Sequence, residues 1–126
     1  MAPLVWEHVT AHVMRTRLPF CDVTVGVVHA HGEALVVDTG TTLVEARAVA
    51  HDIAAQTGCT VSHVVLTHNH FDHVLGHSVF TGARTYCARE VVLAMADEKS
   101  LLRADAVKHG ADARDVDDAL AAPCFT

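Results

Sequence analysis

A nearly continuous apolar run, Val61–Leu66, constrains the fold of this chain more than any other segment. The run is rich in β-branched residues, which is typical of a strand that is covered on both faces of a sheet. Upstream, Thr42 and Glu45 match a capping box, and apolar residues recur at helical spacing until Gly58. We therefore expect a helix over residues 43–57. Together these segments indicate mixed α/β structure.

The segments on either side extend this pattern. Alternating apolar and polar residues over Val9–Val13 predict a half-buried strand, and we expect it to form antiparallel hairpins with the two β-rich runs that follow. The other predicted elements are strands at Val23–Val28, Ala34–Val37, Val61–Leu66 and Thr85–Ala88, a short helix that ends near Val79, and a helix over Arg89–Leu102. The predicted order is βββαβαβα. Beyond Ala104 the pattern weakens, and we expect an acidic segment of loose helical or irregular structure.

The composition indicates one globular domain, residues 1–126, and excludes several classes of protein. The chain has 9 basic and 15 acidic residues, and its net charge of −6 disfavours a nucleic-acid partner. Its longest wholly apolar stretch, Val91–Ala96, is far shorter than the roughly 20 residues that span a bilayer, so we expect no membrane segment. The cysteines at positions 21, 59, 87 and 124 form no close pair. We expect free thiols in a cytoplasmic protein.

Histidine is unusually frequent, with 11 residues in the chain, and a dense group of ligand types follows the apolar run: His68, His70, Asp72 and His73. In an extended segment His68 and His70 point to the same side, so both imidazoles can bind one metal ion. Asp72 and His73 can face a second ion as the chain turns into a helix. Imidazole and carboxylate suit zinc, iron, manganese or cobalt. The alternative is a solvated loop in which Asp72 caps the helix, but four ligand types at this spacing favour a metal site.

The segment Thr67-His68-Asn69-His70-Phe71-Asp72-His73 resembles the THxHxDH motif of the metallo-β-lactamase fold superfamily. That superfamily includes thioester hydrolases, lactonases, β-lactamases and RNA-processing nucleases. The resemblance extends to the corner Val36-Val37-Asp38-Thr39-Gly40 and to Gly76, which follows the motif where the family usually has a glycine. The resemblance implies that this chain forms one half of an αβ/βα sandwich.

The resemblance also implies a role for each residue of the motif. His68 and His70 are implied ligands of a first metal ion, and Asp72 and His73 are implied ligands of a second. Asp38 is implied to accept hydrogen bonds from the loop that carries the ligands. On the residues alone, Asp38 is equally well interpreted as a turn former after a strand.

The resemblance covers only the N-terminal half of the family's fold, which has two similar halves packed sheet to sheet. The third histidine for the first ion, a bridging aspartate and the last histidine for the second ion are not located in this chain. His109 lies in a segment whose pattern predicts no strand end, so it is not assigned as a ligand. We therefore expect two ligands for each ion and an apolar sheet face that a second copy of the chain, or a missing C-terminal half, would cover.

These features predict a zinc-dependent hydrolase with one or two ions, with iron or manganese as alternatives. A metal-activated water would attack an ester, thioester, lactone or amide of a small-molecule substrate, and Asp72 would orient that water or accept its proton. The alternative function is a binding or assembly module that keeps a partial metal site, or a gene fragment that is catalytically incomplete.

Overall fold

The computed structural model describes residues 2–121, which contain one mixed six-stranded sheet. The strands are β1 (Trp6–Thr10), β2 (Val13–Leu18), β3 (Val23–Ala30), β4 (Glu33–Val37), β5 (Thr60–Leu66) and β6 (Arg84–Cys87). They lie side by side in chain order. The first four pair antiparallel, whereas β5 and β6 run parallel to β4.

Five α-helices accompany the sheet in the described residues. They are α1 (Leu43–Thr57), α2 (Phe71–Val74), α3 (Arg89–Asp97), α4 (Lys99–Lys108) and α5 (Ala113–Ala121), with short 3-10 segments at Phe20–Asp22 and Leu75–Val79. None of these helices is both long and apolar enough to cross a bilayer. The α/β class and the half-sandwich architecture predicted from the sequence are confirmed.

Helix α1 begins and ends at the predicted residues because both of its caps form. The Thr42 hydroxyl accepts a hydrogen bond from the Glu45 N–H at 3.1 Å, and Gly58 ends the helix in the left-handed conformation. The Glu45 carboxylate accepts the Thr42 hydroxyl at 3.2 Å and the Phe20 N–H at 2.9 Å. This carboxylate therefore ties the start of α1 to the connection between β2 and β3.

The predicted strand at Val9–Val13 is wrong in one respect, because the chain turns at Ala11 and His12. The structure has a hairpin of β1 and β2 there, so four strands rather than three precede α1. Alternation cannot separate one strand from a tight hairpin when the turn carries no Gly, Pro, Asn or Asp.

The C-terminal part is more regular than predicted. The expected helix over Arg89–Leu102 is two helices that meet at Glu98, and the segment expected to be loose forms the end of α4 and all of α5. Much of the buried surface there comes from small residues, including Ala106, Ala111 and Ala119, and alanine gives only a weak apolar pattern. Cys124, predicted to be a free thiol, lies outside the described residues.

The sheet buries one face against the helices. Val36, Val64 and Leu66 on that face are 0–2% exposed and belong to one core cluster with Val49 and Ile53 of α1. The prediction that β5 is covered on both faces is wrong, because only Val64 and Leu66 of this strand are buried, and Val65 between them is half-buried. Val65 lies on the second face, where its β-branched side chain made the run appear buried throughout.

Within residues 2–121, the second face of the sheet is left partly exposed. Its apolar residues lie in adjacent strands in register, with Val28 opposite Leu35, Val37 opposite Val65, and Val65 opposite Tyr86. Val28 is 45% exposed and Tyr86 is 49% exposed. We call these five residues the open sheet face.

Gly76 holds the segment after α2 against the turn between β4 and α1. Its N–H donates to the Gly40 carbonyl at 3.0 Å. A Cβ atom at Gly76 would lie 2.9 Å from the Ala46 Cβ and even closer to the Thr39 carbonyl oxygen. Only glycine fits where these two pieces of backbone meet.

We expect Gly76→Ala to lower the free energy of unfolding by about 1–3 kcal/mol, because the added methyl group must push the backbone of Thr39 or helix α1 away. Urea denaturation measures this change. Gly26→Ala is the matched control, since its Cβ would meet its nearest atom at 3.7 Å. A Gly76→Ala variant as stable as the Gly26→Ala variant would contradict the close approach.

Candidate metal centre

The motif residues lie at one edge of the sheet because β4 and β5 are parallel. The carboxyl ends of parallel strands meet at the same edge, which is where open α/β sheets present functional groups. Asp38 follows β4, and the segment Thr67–His70 leaves β5 in an extended conformation before α2 begins at Phe71. The β2–β3 connection reaches the same edge, because β2 and β4 run in the same direction.

Three imidazole rings cluster at this edge. The centroid of the His68 ring lies 4.6 Å from that of His70 and 4.1 Å from that of His73. A carboxylate oxygen of Asp72 lies 3.8 Å from Nε2 of His73. The structure thus brings together the four residues that the sequence singled out as ligands.

The surroundings of His68 favour its neutral form. Partial burial lowers the pKa of His68, and the neighbouring His73 and His70 lower it further, while Asp38 and Asp72 act in the opposite direction. Neutral imidazole is the form that binds a metal ion. His68 is therefore held in a state that suits a ligand.

Asp38 is the buried acceptor beneath the histidines. It is 4% exposed, and its carboxylate accepts the Thr67 N–H at 2.9 Å, the Thr67 hydroxyl at 2.9 Å and Nδ1–H of His73 at 2.8 Å. Its backbone has φ 65°, in the left-handed region that aspartate tolerates better than most residues. This conformation follows directly from the tight turn after β4.

These contacts determine the tautomers of two histidines. A carboxylate only accepts, so Nδ1 of His73 carries the hydrogen and Nε2 keeps its lone pair. The Thr67 hydroxyl donates its hydrogen bond to Asp38, so its oxygen accepts a hydrogen bond from Nδ1–H of His68 at 2.8 Å. Histidine ligands of metals are typically oriented in this way by a second partner. Through these bonds Asp38 leaves Nε2 of both His68 and His73 with its lone pair.

Sequence reasoning gave no role to two threonines that build the site. The Thr67 hydroxyl lies between Asp38 and His68 and forms a hydrogen bond with each. Thr39 is fully buried and donates both its N–H, at 3.0 Å, and its hydroxyl, at 2.9 Å, to the His73 carbonyl. Their one sequence signal is position, since each threonine follows closely on the end of an apolar strand.

A cavity of about 530 Å³ opens beside the motif. It is lined by Cys21, Asn69, His70, Phe71, Asp72, Asp105 and His109. Partial burial and the negative charges of Asp72 and Glu45 raise the pKa of the Cys21 thiol. The sequence did not connect Cys21, Asp105 or His109 with the motif, because only the folded chain brings the β2–β3 connection and α4 beside it.

Two other histidines near the motif in sequence have ordinary surroundings. His63 stacks on Tyr86 with ring centroids 5.9 Å apart, and its Nδ1 lies 2.7 Å from the Ser62 hydroxyl. His77 is buried, with Nδ1 2.9 Å from the Val74 carbonyl oxygen.

The donor set fits a divalent metal ion by chemistry. Imidazole nitrogens with prepared lone pairs lie next to a carboxylate, which is the ligand combination of zinc, iron and manganese sites. Within residues 2–121, however, no group of three or more His, Cys, Asp and Glu side chains is arranged to hold an ion as it stands. The described chain therefore presents pairs of suitable donors rather than an enclosed ligand sphere.

Comparison with known proteins shows to which family the chain belongs. The family model of the metallo-beta-lactamase superfamily matches residues 18–120. The chain belongs to this superfamily. The resemblance noted in the motif is thereby confirmed, and the superfamily's fold is that of metal-dependent hydrolases.

A solved structure supports the same fold. The metallo beta lactamase from Hirschia baltica superposes with a TM-score of 0.65 at 14% sequence identity, covering 79% of this chain and 49% of that one. The chain described here thus spans about half the length of the Hirschia protein. A search of curated proteins finds no match.

We expect Asp38→Ala to lower the free energy of unfolding by about 1–3 kcal/mol, because Thr67 and the half-buried His73 ring lose the buried carboxylate that accepts their hydrogen bonds. Chemical denaturation gives the value. Asp22→Ala is the matched control, since Asp22 also has a positive φ of 53° but is exposed. Asp22→Ala also removes an exposed ion pair with Arg17, so equal losses in the two variants would mean that the hydrogen bonds of Asp38 stabilise the fold no more than that surface pair does.

Proposed function

We propose that this protein is part of a metal-dependent hydrolase that cleaves an ester, thioester, lactone or amide bond of a small molecule. Membership of the superfamily supports hydrolytic chemistry. The observation that carries the proposal is the contact of Asp38 with His73 and, through Thr67, with His68. A buried carboxylate that orients two imidazoles is the arrangement typical of histidine ligands of a metal.

The proposed ligands are the four residues predicted from the sequence. His68 and His70 hold one ion, and Asp72 and His73 hold a second, with zinc as the proposed metal and iron or manganese as alternatives. When bound, such an ion polarises a carbonyl group and lowers the pKa of a water molecule toward neutrality. His68 lies against His70 and Asp72 lies against His73, which supports this pairing, although the His68 ring is closer still to the His73 ring.

Asp72 is the proposed acid–base residue. Its side chain is 21% exposed and lines the cavity beside His70. It can therefore reach a water molecule at the motif and accept its proton, while the buried Asp38 is occupied by its own donors. The exposed carboxylate of Asp72 can thus act in proton transfer, whereas the buried carboxylate of Asp38 orients the histidines.

The cavity favours a small substrate over nucleic acid. Its seven lining residues, all in the described part of the chain, include no Lys or Arg. Phosphate backbones are bound chiefly through such cations. The acidic net charge of the chain, −6, acts in the same direction.

We expect His70→Ala to weaken zinc binding by about 10-fold or more, since a lost ligand costs at least as much as a lost partner of a ligand. Zinc content after dialysis, measured by elemental analysis, reports the loss. His51→Ala is the control, because His51 is an exposed histidine of α1 whose side chain is 80% accessible. Unchanged zinc content in His70→Ala would contradict the ligand assignment, and hydrolysis of ester, thioester and β-lactam reporters by the zinc-loaded protein tests the reaction itself.

The open sheet face favours a second candidate function, assembly with another polypeptide. Val28, Leu35, Val37, Val65 and Tyr86 form a continuous apolar strip across four neighbouring strands. Apolar surface of this kind is typical of an interface. We propose that a second copy of the chain covers it in solutions of this 126-residue protein, related by a twofold axis.

We expect the isolated chain to be larger than its 13.5 kDa monomer in light scattering. Val28→Lys should shift it toward the monomer, because a charge replaces a 45% exposed apolar residue within the strip. Val44→Lys is the control, since Val44 is 53% exposed but lies on α1. A compact parent monomer that binds no hydrophobic dye would refute the interface.

A further inference from the structure

Two histidines lie side by side at the end of the sheet opposite the metal motif. His12 is in the turn between β1 and β2, and His29 is in the last part of β3. Because β2 begins and β3 ends there, the two residues continue the pairing of these strands beyond Val13 and Val28. Directly paired residues of antiparallel strands have their side chains on the same face. The imidazoles of His12 and His29 are therefore cross-strand neighbours.

The ring of His12 takes part in the pairing of the strands. The His29 N–H donates to the His12 carbonyl oxygen at 2.9 Å. In a regular antiparallel pair the second residue would return the same bond, but the His12 N–H donates to the Thr10 hydroxyl at 3.1 Å. Nδ1 of the His12 ring lies 3.0 Å from the His29 carbonyl oxygen instead. The His12 ring is thus held in place by the backbone of its neighbour.

This contact determines which nitrogen of His12 is available to a metal ion. A carbonyl oxygen only accepts, so Nδ1 carries the hydrogen and Nε2 keeps its lone pair. Metal-binding histidines are typically oriented in this way, with the second ring nitrogen bonded to an acceptor. His29 contributes only backbone groups to the two bonds, so its ring can adjust while both bonds remain.

The separation of the two rings suits a shared ion. Their centroids are 6.1 Å apart and their planes are inclined by 63°. An ion about 2.0–2.1 Å from one nitrogen of each ring holds the two centroids about 4.5–6.5 Å apart, depending on the angle at the ion. His12 is exposed and His29 is half-buried, so both an ion and water can reach the pair.

We propose that Nε2 of His12 and the imidazole of His29 form a binding site for one divalent nickel or copper ion. These ions favour imidazole ligands and accept a mixed nitrogen and oxygen sphere. Within residues 2–121, no group of three or more His, Cys, Asp and Glu side chains is arranged to hold an ion. The two imidazoles are therefore the protein ligands, and water supplies the others. The site shares no residue with the motif and does not depend on the proposed hydrolase function.

Calorimetric titration of the full 126-residue chain with Ni²⁺ tests the proposal. Nickel is the probe because the described chain has free cysteines, and Ni²⁺, unlike Cu²⁺, does not oxidise thiols. We expect His29→Ala to bind this ion about 10-fold more weakly or worse, because one of two protein ligands is lost. His12→Asn should have the same effect, since its amide can still donate to the His29 carbonyl but has no Nε2. His51→Ala, which changes an exposed histidine of α1, should bind like the parent.

The histidine ring resonances locate the ion, because paramagnetic Ni²⁺ broadens the signals of the groups nearest to it. Broadening at His12 and His29 that persists in His70→Ala would show a site apart from the motif, whether or not the motif binds metal. Nickel affinity that is unchanged in both His29→Ala and His12→Asn would overturn the proposal. A response confined to the motif histidines would overturn it as well and leave the proposed function standing.

Discussion

The buried carboxylate of Asp38 is the interaction on which the rest of the site depends. It joins three elements at one point: the turn after β4 that carries it, the Thr67 exit from β5, and the His73 ring of α2. Thr39 fastens the backbone of His73 to the same turn. Because a buried donor without an acceptor costs about 1–3 kcal/mol, the fold and the orientation of the imidazoles are stabilised by the same few bonds. The bonds of Asp38 thus stabilise the fold and fix the tautomers of His68 and His73 at the same time.

The sheet topology explains why these groups meet. Because each hairpin reverses the chain, β2 and β4 run in the same direction, and β5 runs parallel to β4. The carboxyl ends of β2, β4 and β5 therefore lie at the same end of the sheet. The β2–β3 connection with Cys21, the Asp38 turn and the histidine segment are therefore neighbours, although they are distant in sequence. Helices α1 and α4 then close the edge from the helical side, α1 through Glu45 and α4 through the contact of His109 with Phe71.

The sequence predicted the elements whose ends carry explicit chemical signals. Helix α1 has a hydroxyl at its start and a glycine at its end, and both act as expected. The hairpin of β1 and β2 was missed because Ala11 and His12 do not mark a turn, and α5 was missed because its buried face relies partly on alanine. The motif predicted which ligand types lie together, but the tautomers of His68 and His73 depend on Asp38, and the position of His109 depends on packing between helices distant from the motif in sequence.

The match between strand order and chain order has a consequence for synthesis on the ribosome. Each strand pairs with the one made just before it, so the sheet can grow by addition at a single edge as the chain emerges. Two connections are long: β4 is joined to β5 through the strongly capped helix α1, and β5 is joined to β6 through the histidine segment, α2 and a 3-10 segment. Asp38 therefore leaves the ribosome before the histidine segment does, and its turn is completed only when Val65 and His73 follow and bond to it.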